Sequence, residues 1–123
     1  MTSEQEETLK ALREFAKQNA NRPTPELDRL QRYLELHNVR YERIDEEPTA
    51  THSIDRHQII VFNAEGLRLW DAICHYGSYG YNEGLLEIYG IIVPNDDVEG
   101  CLTAREVIKK WEDFNAATCN RPR

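Results

Sequence analysis

Arg56-His57-Gln58-Ile59-Ile60-Val61-Phe62-Asn63-Ala64-Glu65-Gly66-Leu67-Arg68-Leu69-Trp70-Asp71-Ala72-Ile73-Cys74 is the stretch that decides the fold. His57 to Phe62 and Leu67 to Cys74 are two β-branched and aromatic runs separated by four residues. With Gly66 free to take the positive φ that closes a type I turn as a bulge, this spacing predicts a β-hairpin over 57–74. Counting by twos puts Ile59 and Val61 on one face and Ile60 and Phe62 on the other. The strand therefore has no polar side, and both faces call for cover. In the second run Trp70, Ala72 and Cys74 share a face, and Leu69, Asp71 and Ile73 share the opposite one. Asp71 needs a partner if it is buried and ionised, because an unpaired buried carboxylate takes up a proton instead.

Working outward, Val39 to Ile44 alternates as a half-exposed strand, and its Arg and Glu residues suit a sheet edge. Asp45 to Asp55 reads as a polar loop. Two amphipathic helices precede the sheet. Ser3-Glu4-Gln5-Glu6 has capping-box form, with Leu9, Leu12, Phe15 and Ala16 on one stripe over 4–18. Thr24-Pro25-Glu26 opens the second, whose stripe is Leu27, Leu30, Tyr33 and Leu34 and whose stop is Asn38. Beyond the hairpin, Cys74 to Tyr81 is a Gly/Ser/Tyr loop. Asn82 to Tyr89 is expected to be a short helix packing Leu85, Leu86, Ile88 and Tyr89 inward, with Gly90 as its left-handed stop. Ile91 to Pro94 suits a strand or the packed exit of that helix, and Asn95 to Gly100 an acidic turn. Thr103-Ala104-Arg105-Glu106 is a second capping box, opening a helix with Val107, Ile108, Trp111 and Phe114 on one stripe; this helix is expected to cover the other sheet face. The expected fold is α+β, a small antiparallel sheet (hairpin 57–74 plus edge strand 39–44) covered by N- and C-terminal helices in the order α-α-β-β-β-α-α. By segment, 1–22 is a peripheral helix, 23–116 a single domain, and 117–123 a frayed tail.

The 123 residues suffice for one modest core. A net charge of −7 argues against a basic groove for nucleic acid and permits docking onto a basic protein surface. Cys74, Cys101 and Cys119 lack C-x-x-C spacing and are odd in number, which fits a reducing cytoplasm. The chain shows no charged-then-apolar leader and no apolar run near the length of a membrane span, so neither secretion nor insertion is expected.

Three constellations could carry chemistry. Cys74 at a strand end, with His57, His52 or His75 as base and Asp71 as orienter, has the residue types of a thiol hydrolase, although a small thiol beside Trp70 and Ala72 is also ordinary core filling. His52, Asp55, His57, Cys74 and His75 have metal-binding side chains but match no recurring zinc frame, so no metal or other cofactor is assigned, and no catalytic residue either. Arg56, His57, Asp71, Ser78, Tyr79 and Tyr81 could form a ligand pocket, in which loop N–H groups hold an anion, tyrosine faces stack on a base and Arg56 or Arg68 supplies charge. The loop lacks either standard glycine fingerprint, and a tight connection would read the same way. Separately, Glu46, Glu47, Asp96, Asp97 and Glu99, with Glu83 and Glu87, could form an acidic face for a partner.

The strings Arg56-His57-Gln58-Ile59, Leu69-Trp70-Asp71-Ala72-Ile73-Cys74, Gly77-Ser78-Tyr79-Gly80-Tyr81, Glu83-Gly84-Leu85-Leu86-Glu87-Ile88, Val98-Glu99-Gly100 and Leu102-Thr103-Ala104 resemble a group of small uncharacterised proteins encoded by phages and prophages of gut bacteria. The resemblance covers about 56–110 and brings no functional positions with it. It implies a setting, the cytoplasm of an infected bacterium, where such accessory genes often encode inhibitors of host defence. The leading expectation is thus a non-enzymatic, anti-CRISPR-like inhibitor that lays its acidic face on the nucleic-acid-binding surface of a host defence nuclease. The alternatives are a sponge that sequesters a nucleotide immune signal in a pocket near the Gly/Tyr loop, within one chain or across a homodimer, and a small Cys/His hydrolase.

Overall fold

The computed structural model describes residues 3–20, 23–51 and 54–119, and the side chains of these apart from 12–20 and 119. His52, the stripe residues Leu12, Phe15 and Ala16, the Cys119 side chain and the tail beyond it lie outside what is described. The elements are helix α1 (Ser3–Ala20), helix α2 (Pro25–Leu36), strands β1 (Tyr41–Glu46), β2 (Arg56–Phe62), β3 (Arg68–Ile73), β4 (Leu86–Gly90) and β5 (Val98–Leu102), and helix α3 (Ala104–Cys119). Short 3₁₀ turns at Tyr81–Glu83 and Pro94–Asp96 flank β4. The fold is α+β, with five antiparallel strands in the order β1-β2-β3-β4-β5.

The hairpin forms as its sequence requires. Gly66 sits at φ 84 and donates its N–H to Asn63 O at 3.0 Å, while Asn63 Oδ1 accepts the N–H groups of Glu65 and Leu67. Asn38 ends α2 at φ 55, a conformation that asparagine tolerates. Ile59 and Val61 on β2, Trp70, Ala72 and Cys74 on and just after β3, and Leu86 and Ile88 on β4 all face one layer. There they meet Leu27, Leu30 and Leu34 of α2 and Val107 and Trp111 of α3. Trp70 and Trp111 stand with ring centroids 5.8 Å apart at the centre of this core. Glu26, buried on α2, accepts the Ala104 N–H at 3.3 Å and so ties the first turn of α3 to α2.

Several expectations are corrected. Asn82 to Tyr89 is not a helix: Gly80 (φ 94) and Gly84 (φ 71) confine the helical turn to Tyr81–Glu83, and the next residues extend as β4. Leu86 and Ile88 are buried while Tyr89 is exposed, a period of two that the adjacent Leu85-Leu86 pair disguises as a helical stripe. Gly90 is accordingly the end of a strand and not a helix stop; a Cβ there would lie 2.5 Å from Leu69 O, so only glycine lets β3 and β4 approach. Residues 91–97 turn, and the supposed acidic turn runs on into β5, so the sheet has five strands and not three. Finally, α3 joins α2 on the same sheet face and does not cover the opposite one; it continues as helix to Cys119, and the rest of the expected frayed tail lies outside the described residues. The edge strand itself lies two residues later than expected, at 41–46, and takes in Asp45 and Glu46 from the expected loop.

Candidate functional site

On the sheet face turned away from α2 and α3, alternation gathers Arg56, Gln58 and Ile60 of β2, Asp71 and Ile73 of β3, and Tyr89 of β4. Asp71 has the partners its burial demands. Its Oδ2 accepts from Gln58 Nε2 at 2.6 Å and lies 3.0 Å from Arg68 Nη2. Gln58 Oε1 in turn accepts from Arg56 Nε at 3.1 Å and Nη2 at 2.7 Å, and Arg56 reaches Glu46 at 3.5 Å. One polar chain, Glu46-Arg56-Gln58-Asp71-Arg68, therefore runs across this face beside the buried Ile60 and the half-buried Ile73. Gln58 was not singled out from the sequence. The available signal was a lone amide inside an apolar run, two positions from Arg56 and on the same strand face.

His57 faces the other way, toward the core, so it does not share a pocket with Arg56 and Asp71. It sits at the end of the sheet between two carboxylates: Nδ1 is 2.8 Å from Asp45 Oδ1, and Nε2 is 3.2 Å from Asp55 Oδ2 without a well-aligned hydrogen bond. Asp55, fully buried, accepts the Tyr76 N–H through Oδ1 at 3.0 Å. Burial by itself would raise the Asp45 carboxyl, but the hydrogen bond to His57 and the Arg43 guanidinium 2.9 Å away hold it below its ordinary value. His75 stands behind this group and accepts the His57 N–H at 3.4 Å, and its burial pushes its imidazole below the ordinary value. Cys74, directly opposite His57, is buried. Both ring nitrogens of His57 face carboxylates, which leaves neither aimed at the thiol as a base would be. Among the described residues no group of three His, Cys, Asp or Glu is arranged to hold a metal ion.

The Gly/Tyr loop spends its polar groups on its own turns. Ser78 Oγ accepts the His75 N–H and donates to His75 O, the Tyr79 N–H donates to Glu87 Oε1 at 3.0 Å, and Tyr79 O accepts from the Cys101 N–H. Tyr81 is buried edge-on against Tyr76, while Tyr79 is exposed. Gly80 and Gly100 let the loop lie on β5, since a Cβ on Gly100 would fall 2.2 Å from Tyr79 Cβ. A shallow hollow of about 620 Å³ opens elsewhere, beside α3, with Arg29, Ala104, Ile108 and Glu112 among its walls.

The acidic residues divide into two groups. Glu46 and Glu47 close β1, and Glu83 and Glu87 come from the loop before β4 and from β4 itself, at the same end of the sheet. Asp96, Asp97 and Glu99 belong to the β4–β5 turn and to β5, at the other end of the strands and the opposite edge from β1. Four strand spacings, about 19 Å, separate those edges. Glu99 is also paired with Lys110 at 2.9 Å. No helix among the described residues is long and apolar enough to cross a membrane. No known family, curated protein or solved structure matches the chain.

Proposed function

We propose that the protein is a non-enzymatic binding protein of phage origin that inhibits a host defence nuclease by covering its nucleic-acid-binding surface with carboxylates. The observation that supports this most is how the charge is spent. Arg29, Arg43, Arg56, Arg68, Lys109 and Lys110 are each paired with a carboxylate of the same chain. On a chain of net charge −7, Glu47, Glu83, Asp96 and Asp97 stand exposed. Such a surface repels phosphates and attracts the lysine- and arginine-rich channel that would otherwise hold them.

The end of the sheet carrying Glu46, Glu47, Glu83 and Glu87 is the better docking end: its one ion pair among the described residues, Glu46 with Arg56, is long at 3.5 Å, whereas Glu99 in the other group lies 2.9 Å from Lys110. The test is phage plating on bacteria that carry a nuclease-based defence and express the protein, combined with binding to the purified nuclease at two salt concentrations. Reversing Glu46 and Glu47 to Lys is expected to abolish protection and to weaken binding roughly tenfold or more at low salt. The Asp96→Lys/Asp97→Lys variant should act more weakly. Unchanged binding and unchanged salt dependence in both variants would remove the proposal.

A further inference from the structure

The two edges of the sheet are built differently. β5 carries a register shift against β4, its Cys101 sits at φ 59, and the Cys101 N–H is already bonded to Tyr79 O. An edge kinked in this way resists the addition of another strand. β1, by contrast, keeps unbroken register with β2 from Tyr41 to Glu46. The bond from Phe62 N–H to Arg40 O sets the phase of that ladder. The backbone groups of Glu42, Ile44 and Glu46 point at β2, and those of Tyr41, Arg43 and Asp45 point away from the sheet. Among the described residues no backbone group is bonded to these three from outside.

We infer that β1 is a self-pairing edge, through which a second copy of the chain joins antiparallel across a two-fold axis at Ile44, making one continuous ten-stranded sheet. Charge complementarity selects this occupant and this register. Centred on Ile44, the pairing sets Arg43 opposite Asp45 of the second copy, and Asp45 opposite the second Arg43. Within each chain Arg43 Nε already lies 2.9 Å from Asp45 Oδ2, so the four side chains close a ring of alternating sign on the α2 side. Ile44 meets its own copy on the other side. Moving the axis to Arg43 or to Asp45 would set like charges face to face at the centre. The chosen register does place Glu42 opposite Glu46 of the second copy, and the Arg56 beside each Glu46 offsets that repulsion. Arg43 also meets Asp28, Gln31 and Thr24 in its own chain, so it is held in position before a second strand arrives. The same charges that turn away an arbitrary strand accept this one.

Light scattering and native mass spectrometry of the intact chain give the first readout, and the mass is expected to rise from 14.4 kDa toward twice that as concentration is raised through the micromolar range. The second readout is cross-linking of Ile44→Cys in a Cys101→Ser background, which removes an exposed thiol. Toward the second copy, Ile44 is a non-hydrogen-bonded pair with Cα atoms about 4.5 Å apart, within disulfide reach. Glu42→Cys, two residues from the axis, is out of reach of its own copy. Disulfide dimers are expected at least about tenfold faster for Ile44→Cys than for Glu42→Cys. A mass of 14.4 kDa at every concentration, or equal cross-linking rates for the two variants, would overturn the inference.

Discussion

Asp71 is the residue on which the sheet face turned away from α2 and α3 depends. Its carboxylate is the shared acceptor of Gln58 and Arg68, and Gln58 hands the same order on to Arg56. Removing it leaves a buried amide with an unmet donor, and an unmet buried donor costs more than the bond it lost. Asp71→Ala is therefore expected to lower unfolding stability by about 1–3 kcal/mol, read from the urea midpoint at constant slope. Arg68→Ala, which truncates a half-exposed partner, should cost less than about 1 kcal/mol. Equal effects of the two would show that Asp71 is held by solvent and not by this chain of bonds. The need for a partner was legible from the sequence, because Asp71 falls between Leu69 and Ile73 on one strand face. The partner's identity was not, since Gln58 reaches it diagonally across two strands whose register no local pattern states. His57 was legible as a chemically interesting side chain, and the count by twos already put it on the face of Ile59 and Val61; what no local pattern stated was that Asp45 and Asp55 close over it.

At the level of elements, the hairpin and both core helices could be read directly, but of their two N-caps only Thr103 caps with its side chain; Thr24 makes no cap bond and its Oγ1 accepts from Arg43 instead. Thr103 and Glu106 exchange bonds as the capping box requires: the Thr103 N–H donates to Glu106 Oε1 at 3.1 Å, and the Glu106 N–H donates to Thr103 Oγ1 at 3.2 Å. Thr103→Ala is expected to cost about 1 kcal/mol, with hydrogen exchange accelerating first in residues 104–107. No change in exchange there would mean that Glu26 alone secures the end of α3. β4 and β5 were illegible for a different reason. Leu85, Leu86, Ile88 and Tyr89 satisfy a helical stripe and a strand about equally well, and the two left-handed glycines that decide between them act through backbone geometry. The placement of α3 beside α2 could not be read either. A stripe of Val107, Ile108 and Trp111 says that a helix has a buried face, but it does not say which side of a sheet supplies it.

Across the whole molecule, acid should act in two steps. Burial pushes His75 below its ordinary value of 6.5, so the unfolded chain binds that proton before the folded chain does. Its contribution to stability is complete above about pH 6.5 and is lost as pH falls toward the folded value. Asp45, held below its ordinary 3.8, contributes fully above that value and loses its contribution as pH drops further. Urea midpoints are expected to decline between about pH 7 and 5, less steeply for His75→Gln, and to fall again below about pH 4. A flat profile down to pH 5 would contradict the burial of His75. The strand order carries a consequence of another kind. Each strand lies beside the one synthesised just before it, so every ladder closes over a short connection and the sheet can assemble in the order in which it leaves the ribosome. Only the seal is delayed: the Glu26 carboxylate waits for an amide 78 residues downstream, and until that amide arrives the hydrophobic side of a finished sheet stands half uncovered.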